Sequence, residues 1–129
     1  MPERIAEGDR PLILLVDDER EFAAVMAKRL NKRGYHVVTA NSGLEAIRLA
    51  RDHDFEVAVL DVKMEGMDGL ETLKTLRMLL PRLKIIMLTG HGSAEIARQA
   101  MSQGARDYLT KPCELGELMA KIEQALISA

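Results

Sequence analysis

A chain of 129 residues, 47% of them hydrophobic and 29% charged, has the size and make-up of one ordinary folded domain rather than of a disordered or fibrous protein. Its 18 Lys plus Arg against 20 Asp plus Glu leave a net charge of -2, which excludes the basic footprint of a direct nucleic-acid binder. The single cysteine, Cys113, rules out an internal disulfide, and no apolar run reaches the roughly 18 residues of a membrane span, so the expected setting is reducing and cytoplasmic, with no membrane partner.

Residues 1–10, Met-Pro-Glu-Arg-Ile-Ala-Glu-Gly-Asp-Arg, lack the apolar centre of a secretory signal and read as a polar lead-in to a domain over 11–129. The run Leu12 to Val16 (LILLV) is apolar enough for a strand buried on both faces, and it ends abruptly in Asp17 and Asp18. From Glu19 a helical pattern carries Phe22, Val25, Met26 and Leu30 to a stop at Gly34. A second strand is expected at His36 to Ala40. Ser42 and Glu45 then have capping-box spacing before a helix with Leu44, Ile47 and Ala50 on its apolar side.

A third strand, Glu56 to Leu60, runs into Asp61. Asp68 caps the next helix with Glu71 three residues on; Leu70, Leu73, Leu76 and Leu80 follow, and Pro81 marks the exit. A fourth strand, Lys84 to Leu88, runs into Thr89. Ser93 opens a helix carrying Ile96, Ala97, Ala100 and Met101, closed by Gly104. The weaker strand Arg106 to Leu109 leads to Thr110 and Lys111, and Pro112 begins a last helix with Leu115, Leu118, Met119, Ile122 and Leu126 on one side. With aromatics at only 3%, Leu, Ile, Val, Ala and the eight Met must fill the interior.

Strict strand-helix alternation predicts an α/β, doubly wound, five-stranded parallel sheet, flavodoxin-like, with order 2-1-3-4-5 and helices on both faces. Ligands of such sheets sit beyond the carboxyl ends of the strands where the order reverses, here between strands one and three. Asp17, Asp18, Asp61, Thr89, Thr110 and Lys111 all fall at that end. Three carboxylates crowded together raise one another's pKa unless positive charge joins them, and Lys111 plus a hard divalent cation would supply it. Mg²⁺ suits one or two carboxylates, retained waters and a phosphate oxygen.

These residues resemble the receiver domains of two-component response regulators from about Pro11 to Ala125. The resemblance lies in four segments: Leu15-Val16-Asp17-Asp18-Glu19, Leu60 to Leu70 (LDVKMEGMDGL), Leu88-Thr89-Gly90-His91-Gly92, and Gly104 to Pro112 (GARDYLTKP). It implies that Asp61 accepts a phosphoryl group from a sensor histidine kinase or phosphotransfer protein, forming an acyl phosphate. It further implies that Asp18 binds Mg²⁺ directly, Asp17 mainly through water, and the backbone carbonyl of Lys63 completes the protein's share. Thr89 and Lys111 would each meet a phosphoryl oxygen, and the Lys111-Pro112 peptide would be cis. Gly90 and Gly92 leave room for backbone amides to approach the phosphate.

The resemblance also implies a switch. Thr89 turns toward the phosphoryl group, Tyr108 swings inward, and the face built from the fourth helix, fifth strand and fifth helix signals through Ile96, Ala97, Met101, Asp107, Tyr108 and Glu117. That face could serve a homodimer or a downstream effector. Lys63 and His91, two residues after Asp61 and Thr89, are placed to flank the route of attacking water and so to set the acyl phosphate's lifetime. The protein would then be a signalling element catalysing only its own phosphorylation and dephosphorylation.

The sequence departs from the family where Glu65 replaces a frequent Pro and Cys113 a frequent Phe; Cys113 reads as a small buried hydrophobe rather than a redox-sensitive thiol. A rival reading is a Mg²⁺-dependent phosphohydrolase using an aspartyl nucleophile, but such enzymes place a second acid where Lys63 stands. A dinucleotide-binding loop at Gly90 to Glu95 fails because Glu95 stands where Gly or Ala is required. His36, His53 and His91 lack metal-site spacing and read as surface residues.

Overall fold

The structure is a computed structural model and describes residues 10–63, 68–90 and 94–128. Along the chain it runs β1 (Leu12–Val16), α1 (Arg20–Asn31), β2 (His36–Ala40), α2 (Gly43–Asp52), β3 (Val57–Asp61), α3 (Gly69–Leu79), β4 (Lys84–Thr89), α4 (Ala94–Ser102), β5 (Asp107–Thr110) and α5 (Leu115–Ile127). The strands form one parallel sheet in the order β2-β1-β3-β4-β5, as the alternation predicts.

Side chains of successive strand residues point to opposite faces, so each buried strand feeds two cores. Leu14, Val16, Ala58, Leu60, Ile85 and Met87 pack with Ala46, Ile47, Ala50, Leu73 and Leu76 from α2 and α3. On the other face Ile13, Leu15, Val57, Val59, Ile86 and Leu88 pack with Met26 and Leu30 of α1 and with Leu118 and Ile122 of α5. β3 is buried at every position, and its register sets Asp61 opposite Leu88. A slip of one residue would turn each side chain to the wrong core, so the placement of Asp61 at the strand's end is strongly specified.

Several expectations need correction. β3 begins at Val57, one residue later than predicted, and takes in Asp61; β4 extends to Thr89, where it pairs with Thr110. In α1 the buried stripe is Ala23, Met26, Ala27 and Leu30, while Val25 is 50% exposed. In α2 it is Gly43, Ala46, Ile47 and Ala50, while Leu44 is 53% exposed. Both misplaced residues lie two positions from a stripe alanine, about 200° around the helix, and so on its far side. Met26 and Met87 are core, but Met78 is 81% exposed.

Pro112 does not open α5. The helix starts at Leu115 with Glu114 as its N-cap, and the Lys111-Pro112 peptide is cis. Asp68 and Glu71 form the expected reciprocal capping box on α3. Ser42 caps α2 by accepting the Glu45 N–H, but the Glu45 carboxylate accepts from Asn41 rather than from Ser42. Gly34 and Gly104 stop their helices at φ +99° and +106°, where a β-carbon is strained. Ser93 lies outside the described residues. No described helix is long and apolar enough to cross a membrane.

Candidate functional site

The carboxyl ends of β1, β3, β4 and β5 converge on a few polar side chains that the two cores hold in place. Asp17 follows directly on β1; its N–H donates to the Ala40 carbonyl at 3.0 Å, which continues the ladder with β2 and buries the side chain completely. One Asp17 carboxylate oxygen accepts the Glu19 N–H at 2.9 Å and the other accepts Lys111 Nζ at 2.7 Å. Asp61, 6% exposed, accepts the Lys63 N–H at 3.2 Å and faces Lys111 Nζ at 3.4 Å. Asp18 is exposed.

Lys111 is fixed by its own backbone, whose N–H donates to the Thr89 carbonyl at 2.7 Å. Its ammonium is shared by Asp17, Glu19 at 2.9 Å, and Asp61, and it lies 4.6 Å from the centre of the Phe22 ring. Thr89, 2% exposed, donates to the Leu109 carbonyl at 3.3 Å, a long bond that leaves the hydroxyl free to change partner.

The electrostatics follow from this crowding. Burial, and then the neighbouring Asp17 charge, push the Asp61 pKa up to about 6 against the opposing pull of Lys111. Burial by itself would lower the Lys111 pKa, but the hydrogen bonds to Asp17 and Glu19 and the charges of Asp17 and Asp61 prevail and raise it. The Lys111 hydrogen bond and charge hold Glu19 below the usual carboxylate range. Asp17, Asp18 and Asp61 each bring a carboxylate oxygen within 4.8 Å of the other two. An all-oxygen donor set of that compactness fits a hard divalent cation.

The predicted cluster of Asp17, Asp18, Asp61, Thr89 and Lys111 is therefore assembled at one end of the sheet. Lys63 is exposed, and a β-carbon at Gly90 would meet no atom of the described residues within 4 Å. Thr110 does not join: it is exposed. Glu65, His91 and Gly92 lie outside the described residues.

On the expected signalling face Tyr108 is 44% exposed and Met101 41%, Glu117 is exposed, and Ile96 and Asp107 are half-buried, with Asp107 ion-paired to Lys121 at 2.8 Å. Ala97 is a correction: at 2% exposure it packs inward and offers no contact surface. Cys113 is half-buried, and burial, followed by the Glu117 charge, raises its thiol pKa, which suits a packing role.

Four contributors escaped the sequence reading. In the sequence Glu19 has no role beyond the start of a helical pattern, and Phe22 falls in that helix's apolar set. Asn41 donates to the Asp17 carbonyl at 3.0 Å and accepts from Arg20. Gly69 packs against the backbone of Asp61 and Val62, where a β-carbon would lie 2.6 Å from the Asp61 carbonyl oxygen. Its one sequence signal is a glycine directly after the Asp68 cap, at the start of α3.

The family model described as the response regulator receiver domain matches residues 13–123. Among curated relatives, the transcriptional regulatory protein ZraR of Escherichia coli K12 is 39% identical over 114 residues, covering 88% of this chain and 26% of the relative. This chain thus spans about a quarter of such relatives' length. The crystal structure of the receiver domain of NtrX from Brucella abortus superposes with a TM-score of 0.86 at 32% identity, covering 91% of this chain and 99% of that one. A response regulator from Burkholderia pseudomallei, solved with a phosphorylated aspartic acid, calcium ion and citrate, gives 0.81 at 33% identity, covering 92% and 75%.

Proposed function

We propose, from the premise that this chain belongs to the response regulator receiver domain family, that Asp61 is its phosphoryl acceptor and that Asp18, Asp61 and the Lys63 carbonyl, with Asp17 acting through water, hold Mg²⁺. The observation that carries this reading is the convergence of Asp17, Asp18, Asp61 and Lys111 on one point at the end of a buried sheet.

The donor is a phosphohistidine on a sensor kinase or phosphotransfer protein. An Asp61 carboxylate oxygen bonds to phosphorus as the phosphorus-nitrogen bond breaks, and the imidazole leaves with that electron pair. Bound Mg²⁺ would neutralise charge on the transferring group. Lys111 already faces Asp61 and needs only to exchange Asp61 or Glu19 for a phosphoryl oxygen. Thr89 would trade its long bond to Leu109 for another phosphoryl oxygen, vacating space that Tyr108, now half outside, can fill. The readout passes to Ile96, Met101, Asp107, Tyr108 and Glu117, and from there to an effector or a second copy. Hydrolysis of the acyl phosphate ends the signal; Lys63 and His91, two residues after Asp61 and Thr89 in the sequence, are the residues we assign to its rate, and alanine at both should change the decay rate.

Intact-mass measurement after incubation with a small phosphodonor and Mg²⁺ tests the reading. One phosphoryl group is expected on the wild type and none on Asp61→Asn. Equal labelling of both would overturn it, and repeated turnover of a phosphate ester would favour the phosphohydrolase.

A further inference from the structure

The end of the sheet opposite the carboxylates carries a second polar site of opposite sign. A cleft of about 550 Å³ opens where α3 leaves for β4 and where α4 turns into β5, and Arg77, Arg82, Lys84 and Arg106 line it with Pro81, Leu83, Gly104 and Ala105. Among the described residues no carboxylate lines it. Lys84 begins the β4 strand that Thr89 ends, so five residue steps separate the cleft from the phosphoryl site, roughly 16 Å at strand spacing.

Basic residues near helix carboxyl ends have an ordinary role, complementing the helix dipole. That accounts for Arg77, in the last turn of α3, and α4 has no basic residue in its last turn. Arg82 and Lys84 lie beyond any helix. Neither they nor Arg77 are ion-paired with a carboxylate of the described residues. Asp54 and Glu56 line an adjacent hollow that shares Arg82 and Lys84 but remain outside ion-pair reach.

Two of the cations are held in place. The Arg77 guanidinium lies against Gly104, with Nε 2.6 Å from where a β-carbon would stand, so the absence of a side chain at 104 makes its seat. Lys84 Nζ donates to the Ser128 carbonyl, a neutral acceptor that orients the ammonium without pairing its charge with a carboxylate of the described residues. Guanidinium forks match phosphate oxygens two at a time, and a volume of this order is that of small-molecule sites. Among the described residues the lining has no aromatic ring on which a base or sugar could stack.

We propose that this cleft is a binding site for a small anion bearing two or more linked phosphates, read through its phosphate chain. The chemistry is shared by inorganic polyphosphate and by nucleoside polyphosphates. The inference is independent of the phosphoryl-acceptor reading, since none of its residues belongs to that site.

The test is a titration of the ¹⁵N-labelled chain with inorganic tripolyphosphate in Mg²⁺-free buffer at moderate salt, repeated with ATP and with adenosine. Saturable one-to-one shifts of the Lys84, Ala105 and Arg106 amides are expected with tripolyphosphate and none with adenosine. ATP matching tripolyphosphate assigns recognition to the phosphate chain, and ATP binding much more tightly assigns the natural source to nucleotides. Arg82→Ser, and separately Arg77→Gln, should each weaken binding about tenfold, as expected on losing a charge-assisted contact, while leaving amide peaks remote from the cleft at their wild-type positions as proof of folding. Shifts that never saturate, that centre on Gly90 and Lys111, or that are unaltered in both variants would overturn the proposal. So would binding of polyglutamate where tripolyphosphate fails, which would make the cleft a protein-docking surface.

Discussion

Asp61 sits where burial and the Asp17 carboxylate both oppose its charge, and its pKa of about 6 in the folded protein stands above the 3.8 of a free aspartate. A carboxyl with a raised folded pKa takes up a proton on folding between those values. Its contribution to stability is therefore fully present below pH 3.8 and is lost as pH rises through about 6. Asp61→Asn, neutral throughout, should stabilise the metal-free protein by about 1 to 3 kcal/mol at neutral pH, with the gap closing near pH 4. Urea melts in chelator at the two pH values measure it; a gap independent of pH would show that charge is not its cause. Gly69→Ala tests the neighbouring backbone, because the added carbon would meet Asp61 and Val62 main-chain atoms at 2.6 to 2.7 Å, none of which can swing aside. A loss of about 1 to 3 kcal/mol is expected, with slower phosphorylation of Asp61, against no change in either if α3 simply shifts. The site's charged members were readable in the sequence because each interrupts or ends an apolar run, where a solvated charge has no reason to be. Gly69 and Glu19 were not, since close backbone approach and the reach of Lys111 across 92 positions of sequence exist only after folding.

At the scale of elements, the order of strands and the ends of helices followed from local signals: apolar runs of about five residues, an Asp cap with its reciprocal Glu, and glycines where the chain must turn left-handed. The helix faces did not follow as well. The reading weighted large side chains, and so chose Val25 and Leu44, whereas small ones allow a helix to lie close on a sheet and alanines occupy the contact line in α1 and α2. This reversal can be measured. Leu44→Ser should change stability by no more than about 0.5 kcal/mol, while Ala46→Leu, two residues away and wholly buried, should cost about 1 to 3 kcal/mol through overpacking. Thermal melts giving the opposite ranking would restore the sequence-based face. The Asp68 cap belongs to the same scale: its loss to Ala should cost about 1 kcal/mol.

The molecule as a whole is two apolar cores that pin a sheet whose polar ends differ in sign. Because β1 and β3 are neighbours buried on both sides, the carboxylates they end in cannot drift apart to relieve their repulsion; Lys111 relieves part of it, and a bound cation or a proton would relieve the rest. A cation that binds the folded state alone stabilises it by mass action, about 2.7 kcal/mol at a hundredfold excess over its dissociation constant. Adding Mg²⁺ should therefore raise the unfolding midpoint of the wild type, and chelator should reverse the gain. Protonation of Asp61 near pH 6 competes with the metal, so the gain should be smaller at pH 5 than at pH 8. Asp18→Asn keeps the buried Asp17–Lys111 pair and removes an exposed ligand, so it should diminish the gain without lowering the metal-free midpoint. A Mg²⁺ gain unaltered in Asp18→Asn and equal at both pH values would mean that the ion acts elsewhere on the surface, and that the convergence of carboxylates at the sheet's end has some purpose other than holding it.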